Sequence, residues 1–334
     1  MNYKRLYLVL VAVVFSQISF SQQGIAVYSD YLSDNYYLLH PSMAGAANCA
    51  KIRLTARQQW FGQDDAPSLQ TASFNTRLGE YSPSGAGIIV FNDKNGYHSQ
   101  KGFKLTYAHH LMFSRDEVDL NQLSFGLSAG FIENTLDETE FLKSGDYDPI
   151  IAGNVQKDTY FNVDFGMSYN YLNFYIHGTL KNAIETRRNL YTEAEPDDLR
   201  KIIVNTGYAF GSKERLLIEP SIMYQSVSKT KEKTIDANVK VYKSMDFGVL
   251  WGGLSYRSSF DSTQYLDNQT LKEQRLQYIT PVLGANYKEY MISYTYSHLI
   301  GNVKFDNGGF HQITLGMNLF CKKERWHCDC PAVN

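Results

Sequence analysis

The chain has 334 residues, 43% of them hydrophobic and 14% aromatic, with a formal net charge of −2 and only 8 prolines. A near-neutral balance without a basic cluster leaves no electrostatic footprint for nucleic acid, and the apolar content excludes a disordered chain. Beyond the first residues, no stretch reaches the roughly 18–20 continuous apolar residues of a membrane helix.

Residues 1–21 have the three-part layout of a secretory leader: Lys4 and Arg5, the apolar run "LYLVLVAVVF" (6–15), then Ser19 and Ser21 at signal-peptidase spacing. Cleavage is expected after Ser21. Residues 22–49 follow as an N-terminal segment whose aromatic content, as in "YSDYLSDNYYLL", favours packing over disorder. It reads as a lumen plug or a periplasmic cap, with a short helix over 30–40.

From residue 50 the chain alternates with period two. "KIRLTARQQW" sets Ile52, Leu54 and Trp60 against Arg53, Arg57 and Gln59, and "FNVDFGMSYNY" repeats the pattern at 161–171. Period two means strands. About fourteen such runs occupy 50–320, within the size range of outer-membrane barrels. They cover 50–61, 69–79, 84–92, 101–113, 120–133, 160–172, 173–181, 201–210, 215–228, 235–243, 245–256, 275–286, 290–298 and 310–320. Alternation alone also fits a soluble barrel or sandwich. The connections decide: long gaps such as 134–159, 182–200 and 257–274 follow odd strands, and short ones such as 172–173 and 287–289 follow even strands. The expected fold is all-β, a transmembrane antiparallel up-and-down barrel with short periplasmic turns and longer outer loops. Tyr169, Tyr171, Tyr287 and Tyr290 fall at strand ends, where aromatic girdles sit. The run 245–256 alternates poorly, with Leu250, Leu254 and Tyr256 on its polar parity, which suggests a bulge or a plug contact.

Parity also turns Arg53, Arg57 and Arg77 inward. They form a basic wall that either grips a carboxylate-bearing segment or is neutralised by inward acids such as Asp164 and Glu219. Cys49 opens the first strand and Cys321 closes the last, so the two ends should be neighbours in a closed barrel. A disulfide between them, or from Cys49 into the Cys-rich periplasmic tail 321–334 with Cys328 and Cys330, suits an exported chain. A Cys/His metal site in "CKKERWHCDC" lacks the usual Cys-x-x-Cys spacing. No serine–histidine–acid set assembles from adjoining strands, and "GAGIIVF" opens a strand rather than a helix, so it is no phosphate loop. The expectation is a non-enzymatic protein without catalytic residues, cofactor or metal.

The stretches "YSDYLSDNYYLLHPSMAGA" (28–46) and "RLTARQQWFGQDDAPSLQTASF" (53–74) resemble the PorP/SprF family of type IX secretion outer-membrane proteins of Bacteroidetes. The most specific element is Arg57-Gln58-Gln59-Trp60 followed by Ala66-Pro67; "GAGIIVFNDKNG", "LTYAHHLMF" and "LSFGLSAGF" continue the likeness along the mature chain. His40-Pro41-Ser42 stands where the family often has Asn-Pro-Ala, and the Cys-rich tail is a further departure. The resemblance implies a secretion and gliding component that binds, helps export and retains a secreted adhesin-like protein. Its other expected partners are periplasmic components of the machinery and outer-membrane lipid, not nucleic acid. The alternatives from other classes are a passive or ligand-gated pore and a lipid-modifying barrel enzyme.

Overall fold

A computed structural model describes residues 29–59, 66–79, 82–114, 119–139, 153–185, 200–212, 214–228, 230–267, 270–300, 309–321 and 333. The expected leader, Trp60, Cys328 and Cys330 lie outside them. The strands are β1 (Ala50–Gln59), β2 (Ser68–Arg77), β3 (Ser84–Asn95), β4 (His98–Met112), β5 (Asn121–Asp137), β6 (Val155–Tyr171), β7 (Phe174–Lys181), β8 (Lys201–Tyr208), β9 (Phe210–Ser212), β10 (Leu216–Val227), β11 (Lys233–Met245), β12 (Gly248–Asp267), β13 (Thr270–Tyr287), β14 (Tyr290–Ile300) and β15 (Gly309–Leu319). Each pairs antiparallel with its neighbours. β8 and β9 both lie along β10 and act as one strand interrupted at Ala209, so the segments make a 14-stranded sheet. β1 pairs with β15 from Ala50↔Leu319 to Gln59↔Phe310, which closes the sheet into a barrel.

Alternation fixes which side chains meet the outside. Leu283 is 68% exposed and Thr314 is 1% exposed. Leu54, Leu105, Leu127, Ile222 and Ile313 share the outward face, whereas Thr55, Ser73, Thr106, Ser128 and Asn205 are buried on the inward one. An apolar exterior around a polar interior is the inverse of a soluble barrel and suits lipid, where closure leaves no backbone edge unsatisfied. Tyr171, Phe210, Phe247, Tyr287 and Tyr290 stay exposed around the end where β1 begins and β15 finishes. They lie at or next to that end's strand termini, as an aromatic girdle does. Tyr169 is half-buried and donates to Asn121 Oδ1 at 3.1 Å.

Three sequence expectations change. Leu250, Leu254 and Tyr256 face outward, and Trp251 is the inward residue, buried over Gly284 and donating its indole N–H to Asn286 at 3.1 Å. The parity is regular there; the irregularity lies further along, between Ser258 and Ser262. The polar stretch 257–274 is not an open loop, because β12 and β13 pair through most of it, to Asp267↔Thr270. Residues 30–40 form two short turns, a 3-10 turn over Ser29–Ser33 and the single α-helical turn α1 (Tyr36–Leu39), rather than one helix.

Candidate functional site in the barrel lumen

The described part of the N-terminal segment, residues 29–49, lies inside the barrel. The residue before a proline is driven to extended backbone, and His40 adopts φ −118°, ψ 100° ahead of a 3-10 turn that starts with Pro41 (Pro41–Met43). Gly45 then takes φ +67° only 2.6 Å (measured from a would-be Cβ) from the Thr76 carbonyl, where no side chain fits. The whole of 35–37 and 39–46 is buried.

Polar contacts to strands around the barrel hold it. Tyr37 Oη donates to Thr106 at 2.8 Å on β4, and Ser42 meets Ser168 at 2.6 Å on β6. His40 Nδ1 lies 2.9 Å from Thr179 on β7, and Ser293 on β14 donates to Ser33 at 3.1 Å. Tyr31 donates to Asp236 at 2.7 Å on β11, and Asp236 itself accepts from Arg257 Nε and Nη2, each at 2.7 Å. Contacts on so many strands fix the segment's position as no single-sided contact could.

One buried knot carries most of the charge. Lys240 Nζ sits 2.7 Å from Asp34 of the segment and 3.2 Å from Glu219 of β10. Glu219 also accepts from Tyr36 at 2.8 Å, Tyr175 at 2.6 Å and Tyr242 at 2.7 Å. Burial pushes the Tyr36 phenol well above its ordinary range, and the Glu219 carboxylate adds to this, so Tyr36 stays a donor. Burial pushes the His40 imidazole well below its ordinary range, helped by His177 and by the Lys181 charge, so it stays neutral.

Glycines on the inward parity mark where backbone meets backbone. A Cβ on Gly126 would lie 2.3 Å from the Pro41 carbonyl carbon and from Ser42 N, and one on Gly85 would lie 2.1 Å from the Ala44 oxygen. Gly87 makes the same room for the Tyr37 ring, at 2.5 Å from its hydroxyl. The His40-Pro41-Ser42 variation thus sits at one of the close contacts between segment and wall.

The three arginines face inward but act separately. Arg53 donates to Asn318 Oδ1 at 3.0 Å and to the Ile52 carbonyl at 2.9 Å. Arg57 lies over the Phe310 ring at 3.8 Å. Arg77 donates to the carbonyls of Gly45 and Ala46, at 3.3 and 3.5 Å, so it grips the chain's own N-terminal segment through backbone oxygens. The inward acids pair with lysines instead: Asp164 with Lys104 at 2.6 Å, and Glu219 with Lys240. These lysines, with the Tyr36–Glu219 knot, were missed in sequence because parity gives the facing direction and not the partner across the lumen. In the family element, the Gln59 N–H donates to the Pro67 carbonyl at 2.9 Å and draws the β1–β2 connection together, while Gln58 is exposed.

Cys49 and Cys321 are joined by a disulfide directly beside the Ala50↔Leu319 pair. Unreduced protein should therefore weigh about two daltons less than reduced protein for this bridge. Breaking it should cost about 2–4 kcal/mol of stability, read from denaturant unfolding in detergent. Free thiols at both positions in unreduced protein would contradict the bridge. Val333, in the expected periplasmic tail, is fully buried in the apolar cluster with Leu120, Leu217 and Met291.

A serine–histidine pair does occur on adjoining strands. Ser84 Oγ lies 3.2 Å from His109 Nδ1, but its other neighbour is the Tyr107 hydroxyl at 2.8 Å, and no acid completes a triad among the described residues. No group of three or more metal-binding side chains occurs among the described residues either.

Solved barrels of low identity resemble the chain. CdiB from Acinetobacter baumannii matches over 80% of this chain and 59% of its own, with 8% identity and a TM-score of 0.41. The chain thus spans less than two thirds of that protein. BamA from Haemophilus ducreyi lacking POTRA domains 1-3 matches over 81% and 70%, with 11% identity and a TM-score of 0.39. The toluene transporter TodX of Pseudomonas putida matches over 85% and 92%, with 11% identity and a TM-score of 0.42. No curated protein sequence matches the chain. The model of the type IX secretion system membrane protein PorP/SprF matches residues 20–317. With an outer-membrane type of barrel, a lumen occupied by its own N-terminal segment and that match along nearly all its length, the chain belongs to the PorP/SprF family.

Proposed function

We propose that this barrel is a non-enzymatic component of the type IX machinery that binds a secreted surface protein, supports its export and retains it at the cell. The observation that carries this reading is the N-terminal segment, hooked inside the lumen by the Lys240–Asp34–Glu219 knot and by hydrogen bonds to β4, β6, β7, β11 and β14. A filled lumen suits an anchor and opposes a passive pore. The first residue of β1, Ala50, and the last of β15, Leu319, meet at the girdled end, which is the periplasmic end on this reading, and the longer connections face outward.

The test is purification of the native protein from detergent-solubilised outer membrane, with mass spectrometry of what accompanies it. A large secreted adhesin or a secretion-machine protein in stoichiometric amount is the expected result. A barrel without a companion, from membranes in which the system is active, together with steady conductance in planar bilayers, would replace the anchor with the pore.

A further inference from the structure

The end of the barrel away from Ala50 and Leu319 is uneven. There β7, β8, β10 and β11 stop at Lys181, Lys201, Val227 and Lys233. β12 does not stop with them. Its last partner on β11 is Thr234, opposite Ser259, yet its pairing with β13 continues to Asp267. At the usual strand rise this carries the hairpin roughly 25 Å past the end of β11.

The end of pairing is built, not frayed. The Lys233 backbone N–H donates to Asp261 Oδ2 at 3.0 Å, and Ser259 Oγ donates to the Lys233 carbonyl at 3.5 Å. The register shift between Ser258 and Ser262 falls at the same level and re-aims the strand. From Ser262 to Asp267, β12 has β13 on one side and no strand on the other among the described residues. Proteins ordinarily blunt such an edge with charge, proline or a bulge. Here the bulge and Asp261 lie before the edge and Asp267 at its end, and Thr263 to Leu266 between them carry neither charge nor proline.

We propose that the 262–267 edge of β12 is a docking strand that takes an extended segment of the retained secreted protein by strand addition. This rests on the anchor reading and names the surface it would use. Alternating backbone donors and acceptors along an edge match, as a set, those of another extended chain. A second copy of this barrel is a poor occupant, because antiparallel self-pairing would set Asp261 and Asp267 of one copy beside those of the other. The same two acids favour a partner segment with lysine or arginine at its ends.

Amide hydrogen exchange on the protein in native outer-membrane fractions, and again after its companions are stripped in detergent, tests this. The expected result is that alternate amides across 262–267 exchange about tenfold or more slower in the native fraction, and lose that protection on stripping. Equal exchange in both states, with a secreted protein present by mass spectrometry of the same fraction, overturns the docking strand alone. Equally slow exchange in both states also overturns it, because the chain's own residues then cover the edge. A native fraction without any secreted companion overturns the anchor reading and the docking strand together.

Proline at neighbouring positions is the second check. Successive N–H groups of a strand point to opposite sides, so one of Thr263→Pro and Gln264→Pro removes an outward donor, and the other breaks the β13 pairing. The outward variant should lose at least about tenfold of partner retention with heat-modified gel mobility unchanged. Wild-type retention in both variants overturns the proposal.

Discussion

Lys240→Met should destabilise the folded protein by about 3–5 kcal/mol, the usual cost of removing one partner from a buried ion cluster. Glu219 is 0% exposed, so its carboxylate cannot recover the lost attraction from water, whereas Asp34 is only partly buried. Methionine keeps the bulk of the side chain, which makes charge the variable. The loss should appear as a lower denaturant midpoint in detergent, and as earlier proteolysis of residues 29–49. Neutralising the acids as well, with Asp34→Asn and Glu219→Gln added to Lys240→Met, should recover most of the loss, because an unpaired charge costs more than an absent one. Wild-type stability in the single variant would mean that the knot holds nothing.

Gly126→Val should expel the N-terminal segment while leaving the barrel wall intact. The added Cβ would stand 2.3 Å from the Pro41 carbonyl carbon and Ser42 N, and both are backbone atoms that cannot rotate aside. The segment has to lift from β5 and β6, which loses the Ser42–Ser168 contact and strains His40–Thr179. Overpacking of this kind costs about 3 kcal/mol at the upper end of its usual range. The readouts are an open-channel conductance absent from the wild type and protease access to 29–49. Gly178→Val on β7 is the control, since the nearest atom to its would-be Cβ is 3.9 Å away. Matching behaviour of the two variants would show that Gly126 has no special place.

What the sequence reveals and conceals follows from where lipid is. Within the membrane, one face must be apolar, so runs such as Phe161 to Tyr171 announce their strands and their facing. Beyond it, both faces are wetted and alternation fades, although backbone pairing continues. That is why β12 and β13 look from sequence as if they end near Tyr256 and Arg275, while their hairpin persists to Asp267 and Thr270. The run 245–256, with Leu250, Leu254 and Tyr256, misled for a related reason: a lumen packed with protein accepts Trp251 as an inward side chain, so hydrophobicity no longer reports direction. The Cys49 and Cys321 positions were legible from closure alone, because first and last strands must meet. The Lys104–Asp164 and Lys240–Glu219 pairs were not, since partners across a lumen have no fixed sequence interval. Gly126 and Gly166 were visible as glycines on the polar parity, but only the position of Pro41 explains them.

The Cys49–Cys321 bond turns the wall, 272 residues from one sulfur to the other, into a covalent hoop, and the segment before Cys49 passes inside it. The protein is in this sense a lasso whose own residues 29–49 lie inside its ring. Tension on those residues is borne by a closed loop of chain and cannot unzip the β1–β15 seam from the girdled end. Withdrawal of the thread can then proceed only lengthwise, along the barrel axis.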